Sequence, residues 1–107
     1  MSNRIRIVLA RVGEAPVVTE IANTLEAMQA TVGGYIECVR VDDLDVWLNE
    51  DGLGLSLPFN RTVDGLPIVG PIFVAASNED GDTLGLTDVQ VTRALALLSA
   101  PKTEVWA

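Results

Sequence analysis

The chain has 107 residues, 15 acidic against 7 basic side chains, and a formal net charge of −8. That length fits one domain with one core, and an apolar content of 49% excludes wholesale disorder. Positive charge is too scarce for a general nucleic-acid-binding surface, and the absence of histidine removes the usual general base, the usual zinc ligand and every Ser-His-Asp or Cys-His constellation.

Residues 4–12 predict a strand with Ile5, Ile7 and Leu9 on one face and Arg4, Arg6 and Val8 on the other. Arg4 and Arg6 read as a solvated face, with a phosphate contact as the alternative. Gly13 to Pro16 make a turn, and residues 17–21 make a second strand that pairs with the first. A helix then starts with Asn23 as cap and Glu26 placed to reach back. Leu25, Met28 and Val32 form its apolar stripe, and Gly33 ends it in a left-handed conformation.

Residues 35–41 alternate as a strand. Within it, the single cysteine, Cys38, excludes an internal disulfide and reads as a small buried hydrophobe rather than a nucleophile. Residues 45–48 are extended, with Trp47 facing away from Val46 and Leu48. Asn49-Glu50-Asp51-Gly52 predicts a hairpin turn into a strand carrying Leu53, Leu55 and Leu57 on one face. Residues 58–67 are the least regular stretch, with Asp64-Gly65 as a turn. Ile72 to Ala76 is the most buried strand expected, and Asn78-Glu79-Asp80-Gly81 repeats a turn signal. The last helix opens on a capping box, Thr87 with Gln90, and its stripe is Val91, Ala94, Leu95 and Leu98. Leu86 stands ready to staple onto Val91. Trp106 lies in the tail.

The predicted order is β-β-α-β-β-β-β-β-α. It reads as α+β, a mainly antiparallel sheet of about six or seven strands with two helices. One domain covers residues 1–107, with a core over about 4–98 and a C-terminal tail over 99–107. No segment reads as a membrane span or a targeting signal, so the expected location is the cytoplasm.

The carboxylates are uneven. Residues 42–88 hold ten acids and one base, Arg61, a net of −9, while the remainder holds five acids and six bases, a net of +1. The acidic half is either a surface for a basic partner or a set of solvated turns. Asn78, Asp80 and Asp82 have the alternate-oxygen spacing of a calcium loop, but Thr83 and Val89 stand where the glycine and glutamate belong. Phe59, Asn60 and Arg61 form the polar cluster of most interest. Arg61 either pairs with neighbouring carboxylates or offers its planar fork to an anionic ligand. Asn49 and Glu50 join Phe59, Asn60 and Arg61 as candidate ligand-binding residues. No catalytic residue, metal or cofactor is assigned.

Several motifs together resemble one known family. They are Asn23-Thr24-Leu25-Glu26-Ala27, Val32-Gly33-Gly34-Tyr35-Ile36-Glu37, Asn49-Glu50-Asp51-Gly52, Leu57-Pro58-Phe59-Asn60-Arg61, Ile68-Val69-Gly70-Pro71 and Leu86-Thr87-Asp88. Over residues 4–98 the chain looks like a small domain-of-unknown-function family found in bacteriophages, plasmids and other bacterial mobile elements. It is shorter than many relatives between Arg61 and Ile68. The resemblance implies an accessory protein of a mobile element made inside a bacterium, and it implies no activity.

Two functions from different classes fit. The first is a non-enzymatic protein that binds a host protein or a small anionic ligand and so counters a host defence, without touching nucleic acid or membrane. The second is a small hydrolase holding a divalent metal on converging carboxylates from among Asp42, Asp43, Asp45, Glu50 and Asp82. Exposed edges of an antiparallel sheet also allow a homodimer.

Overall fold

A computed structural model describes residues 3–99; the tail with Trp106 lies outside them. Strand β1 (Arg4–Ala10) is apolar on both faces, with Ile5, Ile7 and Leu9 to one side and Val8 and Ala10 to the other. A strand of that pattern needs cover on each side. After it come β2 (Val17–Ala22), α1 (Leu25–Val32), β3 (Ile36–Val41), β4 (Leu44–Asn49), β5 (Phe59–Val63) and β6 (Leu66–Val69). The chain ends with β7 (Ile72–Ser77), the short β8 (Thr83–Leu84) and α2 (Asp88–Leu98). The main sheet runs β2-β1-β7-β4-β3, each neighbouring pair antiparallel, with β8 joined to β7. The fold is therefore α+β, as predicted.

β7 sits at the centre, between β1 and β4, and Ile72 to Ala76 are all buried. On one face α1 lays Met28 and Val32 against Ile5, Ile7, Leu9, Phe73 and Ala75. On the other, α2 and the β5–β6 hairpin cover Val8, Ala10, Val46, Ile72 and Val74. The predicted α2 stripe meets this second core: Ala94 and Leu98 are fully buried, and Val91 and Leu95 pack beside them. Trp47 does face away from Val46 and Leu48, onto the α1 side, where it stacks on Phe73 at 6.4 Å.

The helix ends obey local chemistry. Thr87 and Gln90 form the predicted capping box of α2. Gly33 closes α1 at φ 85°, a left-handed conformation that costs glycine little. The cap of α1 is Thr24, one residue later than expected, because its extended backbone points Oγ1 at the Ala27 N–H. Asn23 is drawn elsewhere and donates to the Thr83 carbonyl. Leu25, expected in the α1 stripe, is exposed.

Three expectations are overturned. Residues 53–57 form a run of turns held by local bonds such as Leu55 N–H to Asp51 O, not a strand. A hairpin return onto β4 has nowhere to pair, since β3 and β7 occupy both of its edges. The irregular stretch is instead the β5–β6 hairpin, closed by Asp64 and Gly65 at φ 51° and 80°. Two successive positive φ values match a type I′ turn, whose twist suits the flanking strands. Cys38 is exposed rather than buried, because β3 is the sheet edge.

Candidate functional site

Asn60 and Arg61 lie together inside the protein, only 7% and 6% exposed. Regular alternation would turn them to opposite faces. The register of β5 against β6 slips between Phe59 and Arg61, leaving Asn60 as an extra residue. This bulge turns both side chains inward and leaves Phe59 outside. Asn60 donates to the Ala10 carbonyl at 2.9 Å and the Gly70 carbonyl at 2.7 Å, and its Oδ1 accepts from Arg61 Nε at 2.6 Å.

The Arg61 guanidinium ties three segments. Nη1 donates to the Leu98 carbonyl at 2.6 Å, and Nη2 donates to the Arg11 carbonyl at 3.2 Å and the Glu14 carbonyl at 2.5 Å. A guanidinium has five N–H groups. Four are spent on the protein, and one on Nη1 has no acceptor among the described residues. Among the described residues no carboxylate forms an ion pair with it. Burial lowers its pKa from the ordinary arginine value. A pocket of about 240 Å³, walled by Gly13, Glu14, Pro16, Leu98 and Ser99, opens beside it.

Asn49 plays a matching part. Its Nδ2 donates to the Val32 carbonyl at 3.1 Å, and its Oδ1 accepts from the Asp51 N–H at 2.8 Å. Neither helix has a basic residue in its last turn. The final carbonyls of both are instead taken by side chains distant in sequence, Asn49 for α1 and Arg61 for α2. Carbonyls at a helix C-terminus lack partners and carry the negative end of its dipole, so a donor there is favourable and a cation more so.

Glu50 belongs to a different place. It is exposed and, with Glu37, borders a cleft of about 150 Å³ whose apolar walls include Val39, Leu48, Leu53 and Leu66. Leu53 is 84% exposed and Leu66 44%. The five candidates thus separate: Asn60 with Arg61, Asn49 under α1, Glu50 at the cleft, and Phe59 on the outer side of β5.

The carboxylates do not converge. Asp43 Oδ2 accepts from Arg93 Nη2 at 2.7 Å and from Gln90 Nε2 at 3.1 Å, while Oδ1 makes an ion-pair contact with Arg93 Nη1 at 2.7 Å. These bonds, Arg93 first, lower its pKa to about 2. Asp45 is buried beside Arg40 at 3.4 Å. Asn78 Oδ1 accepts from the Asp80 and Asp82 N–H groups at 2.9 Å each, so the calcium-like spacing serves a loop turn. Among the described residues no three His, Cys, Asp or Glu side chains gather where they could hold a metal ion. Arg4 pairs with Glu20, and Arg6 binds the Leu86 carbonyl and Asp88. Although Cys38 is exposed, its thiol is pushed up to about 11 by partial desolvation and then by the charge of Asp45, so it stays protonated at neutral pH.

The model of a domain of unknown function, DUF3846, matches residues 5–99. The chain belongs to the DUF3846 family. No curated protein and no solved structure matches it. A domain of unknown function spanning most of the chain is what the motifs lead one to expect, and the residues that carry those motifs have structural work in this DUF3846 domain. Gly33 closes α1, Asn49 and Arg61 hold helix ends, and Asn60 makes the bulge. The cleft has one signal in the sequence, the alternating leucines after Gly52, and their pattern points to a strand instead.

Proposed function

We propose that this chain is a non-enzymatic binding module that engages a host protein through the acidic, leucine-bearing cleft. The observation that carries this is Leu53 and Leu66 standing exposed on a concave surface bordered by Glu37 and Glu50. Apolar side chains left in water around a recess, with charge at the rim, are the usual anatomy of a protein contact. Among the described residues the carboxylates do not converge, and this gives the metal-dependent hydrolase no support. The module is an accessory protein of a bacteriophage or other mobile element. It works in the bacterial cytoplasm against a host defence, a reading that rests on the motif resemblance.

The test compares the parent with a Leu53→Asp/Leu66→Asp variant, both purified from a bacterial host and weighed by native mass spectrometry. A stoichiometric host protein held by the parent and lost by the variant, with unchanged melting, is the expected result. Equal retention by both overturns the assignment of the cleft. A small anion beside Arg61 is the second reading, favoured by a buried cation that has no carboxylate partner among the described residues and lines a pocket. Calorimetric titration with inorganic phosphate tests it, and absence of heat rejects it for that anion.

A further inference from the structure

We infer that the free edge of β3 receives an extended, basic segment of the partner, which adds to the sheet as a further strand and seats an apolar side chain in the neighbouring cleft. This rests on the cleft being the binding surface and specifies how it binds. β3 ends the sheet order, with β4 on its inner side, and among the described residues no strand pairs with its outer edge. The Glu50 N–H to Tyr35 carbonyl bond makes Tyr35 and Glu50 a hydrogen-bonded pair of the β3–β4 ladder. In an antiparallel ladder such pairs alternate. Glu37, Val39 and Val41 therefore bond inward, while Ile36, Cys38 and Arg40 present their N–H and C=O groups outward.

Side chains alternate in step. Glu37 and Val39 line the cleft, so β3 offers an open edge and a recess on the same flank. An added strand sends every second side chain to that face, where Val39, Leu48, Leu53 and Leu66 give an apolar seat. Exposed edges are ordinarily blunted by proline, a bulge or charged side chains; β3 has no proline and no bulge in its pairing with β4, and its two charges are Glu37, at the cleft, and Arg40, held by Asp45.

Charge selects the occupant. Glu37 and Glu50 line the cleft, Asp51 follows Glu50, Asp42 follows β3, and among the described residues no Lys or Arg lines the cleft. Arg40, the one base on the strand, bonds toward Asp42, Asp45 and Ser77. A second copy of this chain would bring the same carboxylates against themselves. A segment with lysine or arginine two residues to either side of a branched apolar residue would place both on the cleft face and meet them favourably.

The probe is a capped peptide, Thr-Lys-Thr-Val-Thr-Lys-Thr, whose valine and two lysines share one strand face, titrated into the whole chain and followed by amide NMR and hydrogen exchange. The expected result is slowed exchange at the Ile36, Cys38 and Arg40 amides. Binding should be at least tenfold tighter than for the same peptide with glutamate in place of lysine, and should weaken with salt. Cys38→Pro removes one outward N–H and no ladder bond, so binding should fall tenfold with the fold retained. If that variant fails to fold, N-methylation of alternate peptide nitrogens makes the same cut on the other partner. Binding that survives either cut overturns strand addition, as does slowed exchange at these amides in the protein alone through dimerisation. A peptide that does not bind, beside a Leu53→Asp/Leu66→Asp variant that still loses its host protein, overturns strand addition and leaves the cleft assignment standing. Failure of both overturns the whole reading.

Discussion

The Arg61 knot and the Leu53 cleft invert what side-chain polarity alone suggests. A charged fork and an amide are buried in the first, while leucines stand in water in the second. The difference lies in partners. Around Arg61, the turn after β1, the end of α2 and the bulge in β5 supply four acceptors at bonding distance, so the cost of burying the fork is offset. Around Leu53 both edges of the adjacent strand β4 are already taken, and the loop finds no sheet to join. Burial follows the availability of a complementary neighbour more than the nature of the side chain.

The contrast is sharpest between two leucines. Leu98 is fully buried and touches the α2-side core, so Leu98→Ala should cost about 2–5 kcal/mol. A melting curve within a degree or two of the parent would show that α2 does not anchor that core. Arg61→Ala comes next, at about 2–4 kcal/mol, because it leaves several carbonyls and the Asn60 Oδ1 without donors. Arg61→Lys should recover little, since an ammonium cannot span three segments at once. Denaturant unfolding decides, and a silent Arg61→Lys would make the knot a simple charge site.

Asp43 tests the sheet's acidic side. Its folded pKa of about 2 lies below its ordinary value, so the ionised form is favoured by folding. Its contribution is full above about pH 4 and is lost as pH falls through about 2. Asp43→Asn should flatten that part of the acid-unfolding curve, and an unchanged curve would mean Arg93 and Gln90 hold α2 without it. The smallest effect belongs to Leu53→Ala, within about 0.5 kcal/mol, because an exposed side chain gives up almost nothing on truncation. A loss near that of Leu98→Ala would mean the cleft is part of the core and not a surface.

Local rules were legible without coordinates. Thr87 with Gln90, Gly33 after α1 and the uninterrupted run of β7 each depend on neighbours within a few residues, and each appears as read. The second face of β1, which reads as solvated, instead buries Val8 and Ala10 in the α2-side core. The α+β class followed from the order of the elements. Wherever the outcome depended on contacts between distant segments, the chain alone was silent. Leucines at 53, 55 and 57 alternate like a strand, yet pairing requires a free edge, and only the strand order shows that β4 has none. Asn60 and Arg61 were recognisable as a polar pair of interest, but a one-residue bulge turns both inward, and it arises from the register with β6. Asn49 and Arg61 serve helix ends 17 and 37 residues away. Local hydrogen bonds and side-chain periodicity are written in adjacent residues; the vacancy of an edge, and the partner of a buried charge, exist only once the sheet has closed around them.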